Sequence, residues 1–197
     1  PGLIDAHVHV TLGEPRTNDE LFMHRDAATS AMLAAFNVRK VLKAGVTSML
    51  DVDGIFNIGP ALRDSINAGI VEGPTMRSGS YALMTAVGGT AGKLIPDSGT
   101  AGYAEVVRDK EEMVRVVRRQ VKEGADIIKI HVTGSIPTRS GEIQVWTREE
   151  LKVVCDTAHD LGVRVTAHCR GDKATLDAVM AGVDIIWHAS FLGDAAL

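Results

Sequence analysis

Two histidines one residue apart, His7 and His9, close an apolar run near the start of this 197-residue chain. In a β-strand alternate side chains share a face, with Cβ atoms ~6–7 Å apart, so both rings can reach one cation. An HxH pair alone describes equally well two hydrogen-bonded histidines at a strand end. Recurrence favours the cation: KIHV carries Lys129 and His131, TAHC carries His168, and IWHA carries His188. Parallel strands normally read as near-continuous apolar runs, so one inward histidine per strand costs core packing unless something satisfies it. Imidazoles converging at strand ends suit a divalent metal centre.

Lys129 stands among Ile127, Ile128 and Ile130 in a strand that should be buried, and fully buried lysines are rare unless paired. Desolvation lowers the pKa of such an amine, leaving a neutral nucleophile able to take up CO2 as a carbamate. An anionic carbamate could then bridge two divalent cations.

These residues need a frame that brings strand ends together. Six β-rich runs alternate with helical patterns, the sequence form of repeated βα units around a parallel sheet. The strands are expected at 3–10, 46–52, 75–83, 126–133, 163–169 and 184–190. Helices are expected near 26–44, 59–68, 109–123, 147–161 and 172–181, ending at Gly45, Gly69, Gly124, Gly162 and Gly182. Thr147 and Glu150 form a capping box for the fourth helix. The Gly-, Ala- and Thr-rich stretch 84–106 follows the third strand, and a long loop there would lie on the C-terminal face, where sites of such folds are built. No second domain is indicated within residues 1–197.

With 45% hydrophobic and 23% charged residues, the composition excludes a disordered chain. A net charge of −4 gives no electrostatic reason to expect nucleic acid or an anionic membrane as partner, and a small neutral or zwitterionic substrate is easier to accommodate. No run approaches the ~20 apolar residues of a membrane span, and the two cysteines, Cys155 and Cys169, have no metal-finger or redox spacing. The expected setting is cytoplasmic, with reduced thiols.

The PGLIDAHVH opening, Lys129 on strand four, His168 on strand five and His188 on strand six resemble, in identity and order, the metal-binding pattern of the amidohydrolase superfamily. AGVTSMLDVDG, GADIIKIHVTGS and VTAHCRGDKATLDAVMAGVD are similar in particular to the imidazolonepropionase-like and Xaa-Pro or Xaa-Arg/Lys dipeptidase branch. The resemblance implies a (β/α)8 barrel with two divalent metal ions, usually zinc. His7, His9 and a carboxylated Lys129 would serve one ion, and Lys129, His168 and His188 the other. It implies attack of a metal-bound hydroxide on an amide carbonyl, with an Asp on the eighth strand moving the proton.

About six βα units are present, and ASFLGDAAL follows His188. Strands seven and eight, the eighth-strand Asp and the family's small β-sandwich lie outside these residues. The chain therefore reads as part of a longer one, a homo-oligomer when intact, with 1–197 poorly active and prone to associate through unpaired sheet edges. Asp184 is remote from the strand ends that matter, and Asp51 and Asp53 read as loop-capping residues.

Relatives often have GGH after strand three, where this chain has Thr90, and HAH or HAY after strand five, where it has Arg170. Arg170 is a candidate for bidentate contact with a substrate carboxylate, against the alternative of a surface arginine. His131 is a candidate substrate contact or proton donor, or a satisfied core histidine. His24, His159, Tyr81 and Tyr103 carry no functional signal.

The leading expectation is hydrolysis of a dipeptide or N-acyl amino acid at a binuclear site. A one-metal cyclic-amide hydrolase or deaminase of the same superfamily is the alternative, as is a non-catalytic metal-binding protein.

Overall fold

A computed structural model describes residues 1–13, 15–89, 100–138 and 141–197. In chain order the elements are β1 (Leu3–Val8), a π-helical turn (Glu20–His24), α1 (Ala27–Lys43), β2 (Val46–Asp51), α2 (Ile58–Asn67), β3 (Thr75–Ser78), β4 (Ala82–Met84) and a short α3 (Thr100–Tyr103). There follow β5 (Ala104–Val106), α4 (Lys110–Lys122), β6 (Ile127–His131), β7 (Thr133–Thr138), β8 (Gly141–Gln144), α5 (Arg148–Asp160), β9 (Arg164–Cys169), α6 (Asp172–Ala181) and β10 (Ile185–His188). All five expected helices form within about two residues of their predicted bounds. The five glycines at their ends all have positive φ, and the Thr147–Glu150 capping box is made.

The strands form a parallel sheet β1-β2-β3 and a second parallel sheet β10-β9-β6-β4-β5, with β7 and β8 as a separate antiparallel hairpin. This is the α/β pattern of a partial (β/α) barrel. The expected third strand, 75–83, is two strands. Its first half pairs with β2 and its second with β6, so the chain bends between sheets at Gly79. There the backbones meet closely: Gly79 N donates to Asp51 O at 2.8 Å, and a Cβ on Gly79 would lie 2.1 Å from the Val52 carbonyl oxygen. Asp126 bridges the same junction, its N–H donating to Ser78 O (2.7 Å) and its carboxylate accepting from Ser78 N (2.9 Å), Arg63 and Arg77.

Burial explains which faces are apolar. The larger core lies between the second sheet and α4, α5 and α6, where Leu83, Val117, Ile128, Ile130, Leu151, Val154, Val165 and Ala167 are fully buried. A second core, with Ala34, Val38, Met49, Leu62 and Met76, joins α1 and α2 to the first sheet. Apolar contacts on this outer face leave the opposite face of the strands to Lys129, Thr166 and His168. Two further corrections concern strand ends. β1 stops at Val8 after a register irregularity, leaving His9 just beyond it, and β6 stops at His131, with the hairpin following from Thr133. As edge strands, β1 and β10 are the outermost of their sheets, and Leu3 and Ile4 on β1 are exposed. No helix of the described residues is long and apolar enough to cross a membrane.

Candidate metal centre

The C-terminal strand ends converge on a cavity of about 240 Å³ lined by His7, His9, Asp53, Lys129, His131, His168, Arg170 and His188, with Leu12, Gly54, Ile55 and Tyr103 completing the wall. All five candidate ligands and two of the three candidate substrate contacts therefore meet in one place. Thr90 lies outside the described residues. Ring centroids of His7 and His9 are 5.1 Å apart, of His7 and His188 5.3 Å, of His168 and His188 4.6 Å, and of His131 and His168 5.8 Å. The edge strands β1 and β10 approach here, with His7 also 4.7 Å from the Trp187 ring. His188 has φ 75°, in the left-handed region that an unbranched non-glycine residue enters only at a cost.

Asp53 is the hub. Its carbonyl accepts from His9 Nδ1 at 3.0 Å, its Oδ1 lies 3.4 Å from Lys129 Nζ, and its Oδ2 lies 3.6 Å from His131 Nε2. A carbonyl can only accept, so His9 carries a proton on Nδ1, which leaves Nε2 as the ligating nitrogen of the neutral ring. Metal-ligating histidines commonly have this arrangement. Oδ1 of Asp53 is buried with no hydrogen-bond partner among the described residues. Its 3.4 Å contact with Lys129 is thus an ion pair and not a well-formed hydrogen bond. The loop-capping reading holds for Asp51, which accepts from Val10 N and Ser78 Oγ. It fails for Asp53, whose carboxylate faces the cavity because the chain turns inward after β2.

The electrostatics follow from burial beside a buried cation. Desolvation, with the nearby Lys129, His9 and His188, pushes the His7 imidazole down to about 3. Burial takes His168 and His188 down to about 4 and also lowers His131, against the pull of Asp53. These rings are therefore neutral at pH 7 and have lone pairs to give. Burial works to raise the Asp53 carboxyl, but Lys129, His9 and His131 hold it well below the usual carboxylate range. Lys129, 1% exposed, is pushed down by burial while Asp53 pulls it back toward the charged form. The expected solitary buried amine thus has a carboxylate beside it.

Two residues, Glu142 behind the cavity and Tyr103 in its wall, carried no sequence signal of their own. Glu142 on β8 reaches back with a buried side chain to His168 Nε2 (2.8 Å) and Arg170 Nη1 (3.1 Å). Tyr103 lies 6.3 Å from the His131 ring, centroid to centroid. Asp53 could have been found from LDVDG, where a second carboxylate follows a strand end; nothing about Glu142 distinguishes it from a solvated hairpin residue. By contrast, His159 pairs with Asp184 at 2.9 Å, at the opposite end of the strands.

Among the described residues no three His, Cys, Asp or Glu side chains are gathered as a finished cage for an ion. Lys129 as an ammonium is no ligand, and Asp53 and Glu142 hold several of the ring nitrogens. The donor set nevertheless fits divalent cations: neutral imidazoles, an anionic Asp53 whose buried Oδ1 makes no hydrogen bond among the described residues, and a lysine that becomes an oxygen ligand on carboxylation.

Comparison with known proteins agrees in kind. Residues 1–197 match the amidohydrolase family model. Ochratoxinase of Aspergillus niger is 29% identical over 97% of this chain and 43% of its own length. The crystal structure of A. niger ochratoxinase superposes with a TM-score of 0.87 at 26% identity, covering all of this chain and 49% of that one. A Xaa-Pro dipeptidase with bound methionine in its active site superposes at 0.84 and 31% identity, covering all of this chain and 50% of that one. The chain thus spans about half the length of the proteins it matches.

Proposed function

The chain belongs to the amidohydrolase family, and from that premise we propose that residues 1–197 carry the cation-binding part of a site that hydrolyses the amide bond of a dipeptide or N-acyl amino acid. The observation that carries this reading is the meeting of His7, His9, Lys129, His168 and His188 in one cavity from four strands far apart in sequence. His7, His9 and Lys129 would hold one divalent cation, and Lys129, His168 and His188 a second, with Lys129 carboxylated to bridge them and zinc the usual metal. When bound, such ions supply Lewis acidity and activated water.

The chain's own residues do the rest. Arg170, at the rim beside His168, offers a guanidinium for a substrate carboxylate. His131 faces the same cavity and can hold or pass a proton at Nε2 toward Asp53. Tyr103, Ile55 and Leu12 give the wall its apolar part. Amide hydrolysis also agrees with the Xaa-Pro dipeptidase and ochratoxinase likeness.

The Lys129–Asp53 ion pair favours a second reading, a one-cation cyclic-amide hydrolase or deaminase in which Lys129 stays an ammonium. Metal analysis of the intact protein, with a mass determination of Lys129, separates the two. Two equivalents of metal and a carboxylated lysine are expected, together with turnover of dipeptides or N-acyl amino acids. One equivalent with unmodified Lys129 would transfer the assignment to the second reading, and no bound metal would end both.

A further inference from the structure

We propose that Glu142, on the β7–β8 hairpin, is a positioning residue for both His168 and Arg170, one carboxylate oxygen setting the histidine's tautomer and the other aiming the guanidinium. Its Oε2 lies 2.8 Å from His168 Nε2 and 2.5 Å from Thr133 Oγ1, and its Oε1 accepts from Arg170 Nη1 at 3.1 Å. The side chain is 4% exposed. A buried carboxylate is retained only where charge and hydrogen bonds compensate its desolvation, and here three donors do so.

An ionised carboxylate only accepts, so His168 must donate from Nε2 and keep its lone pair on Nδ1. That is the role a carboxylate plays behind a metal-ligating histidine, where it fixes ring orientation and raises ligand basicity. The same carboxylate holds one corner of Arg170, whose Nε is buried and has no hydrogen-bond partner among the described residues. Thr133 completes the frame, its Oγ1 donating to Glu142 and accepting from Arg170 N at 3.2 Å. The hairpin is thereby tied to the end of β9, and one residue couples cation affinity to recognition of a substrate carboxylate. This inference rests on His168 being a cation ligand, as proposed above.

The test uses the intact protein. Zinc affinity is measured by competition with a chromophoric chelator for wild type, Glu142→Ala, Glu142→Gln and His168→Ala, and KM for an N-acyl amino acid is compared with that for the same amide lacking the carboxylate. Glu142→Ala is expected to weaken zinc binding by about 10–100-fold. Glu142→Gln is isosteric, and its amide oxygen still accepts from Nε2. It should recover most of the zinc affinity yet raise KM selectively for the carboxylate-bearing substrate, because its NH2 group faces Arg170. If His168→Ala weakens zinc binding while Glu142→Ala leaves it unchanged or tighter, the role of Glu142 is wrong and the site reading stands. If His168→Ala leaves zinc affinity unchanged, the site reading fails and this inference with it.

Discussion

Lys129 Nζ and Asp53 Oδ1 face each other at 3.4 Å, with only 1% and 6% of their side chains exposed. Neither residue is tolerable there alone. A buried charge left without its partner costs about 3–5 kcal/mol, whereas replacing both members by residues of similar size is often near neutral.

In the metal-free protein, where Lys129 is an ammonium, Asp53→Asn is therefore expected to destabilise the fold by about 3 kcal/mol, and adding Lys129→Met should restore most of the loss. Urea denaturation of the two single variants and the double variant checks this. Additive losses in the double variant would mean that the contact is incidental.

Acid should weaken the fold through the cavity histidines. His7 and His168 lie at about 3 and about 4 in the folded protein, against 6.5 when free, chiefly because burial disfavours their charged forms. The unfolded chain then binds more protons between these values, so stability rises with pH in that window. Their contribution is complete above about pH 6.5 and is lost as pH falls toward about 4 for His168 and about 3 for His7. Melting temperature followed from pH 7.5 to 4.5 should decline, and His168→Asn should make the decline shallower. A variant that declined as steeply as wild type would remove His168 from the explanation.

The bend that moves the third strand from one sheet to the other depends on Gly79. A methyl group there would stand 2.1 Å from Val52 O, and that backbone atom cannot swing aside. Gly79→Ala should cost about 3 kcal/mol or more, among the larger single-site losses. Gly162→Ala is the control: its φ is +74° but, chain neighbours aside, no atom of the described residues would lie within 4 Å of the added methyl, so only the left-handed penalty of about 1–2 kcal/mol applies. Equal losses in thermal or urea melts would show that contact with Val52 is not what requires glycine at 79.

What could be read from the chain alone was whatever local chemistry sets. Helices α1, α2, α4, α5 and α6 follow from apolar periodicity, caps and terminal glycines, all determined within a few residues. His7, His9, Lys129, His168 and His188 were visible because each interrupts or closes an apolar strand, where a polar side chain is costly without a function or a partner.

Partnership across the fold was decided only by tertiary structure. Asp53 looked like a loop-capping residue until the turn after β2 aimed it at Lys129, and nothing in the sequence marked Glu142 until β8 carried it to His168 and Arg170. The same holds for the division of the strand 75–83, since Gly79 meets Val52 from another strand. Side-chain period and turn chemistry act along the chain, whereas ion pairs, backbone approach and burial act through space, between residues that sequence separation keeps apart.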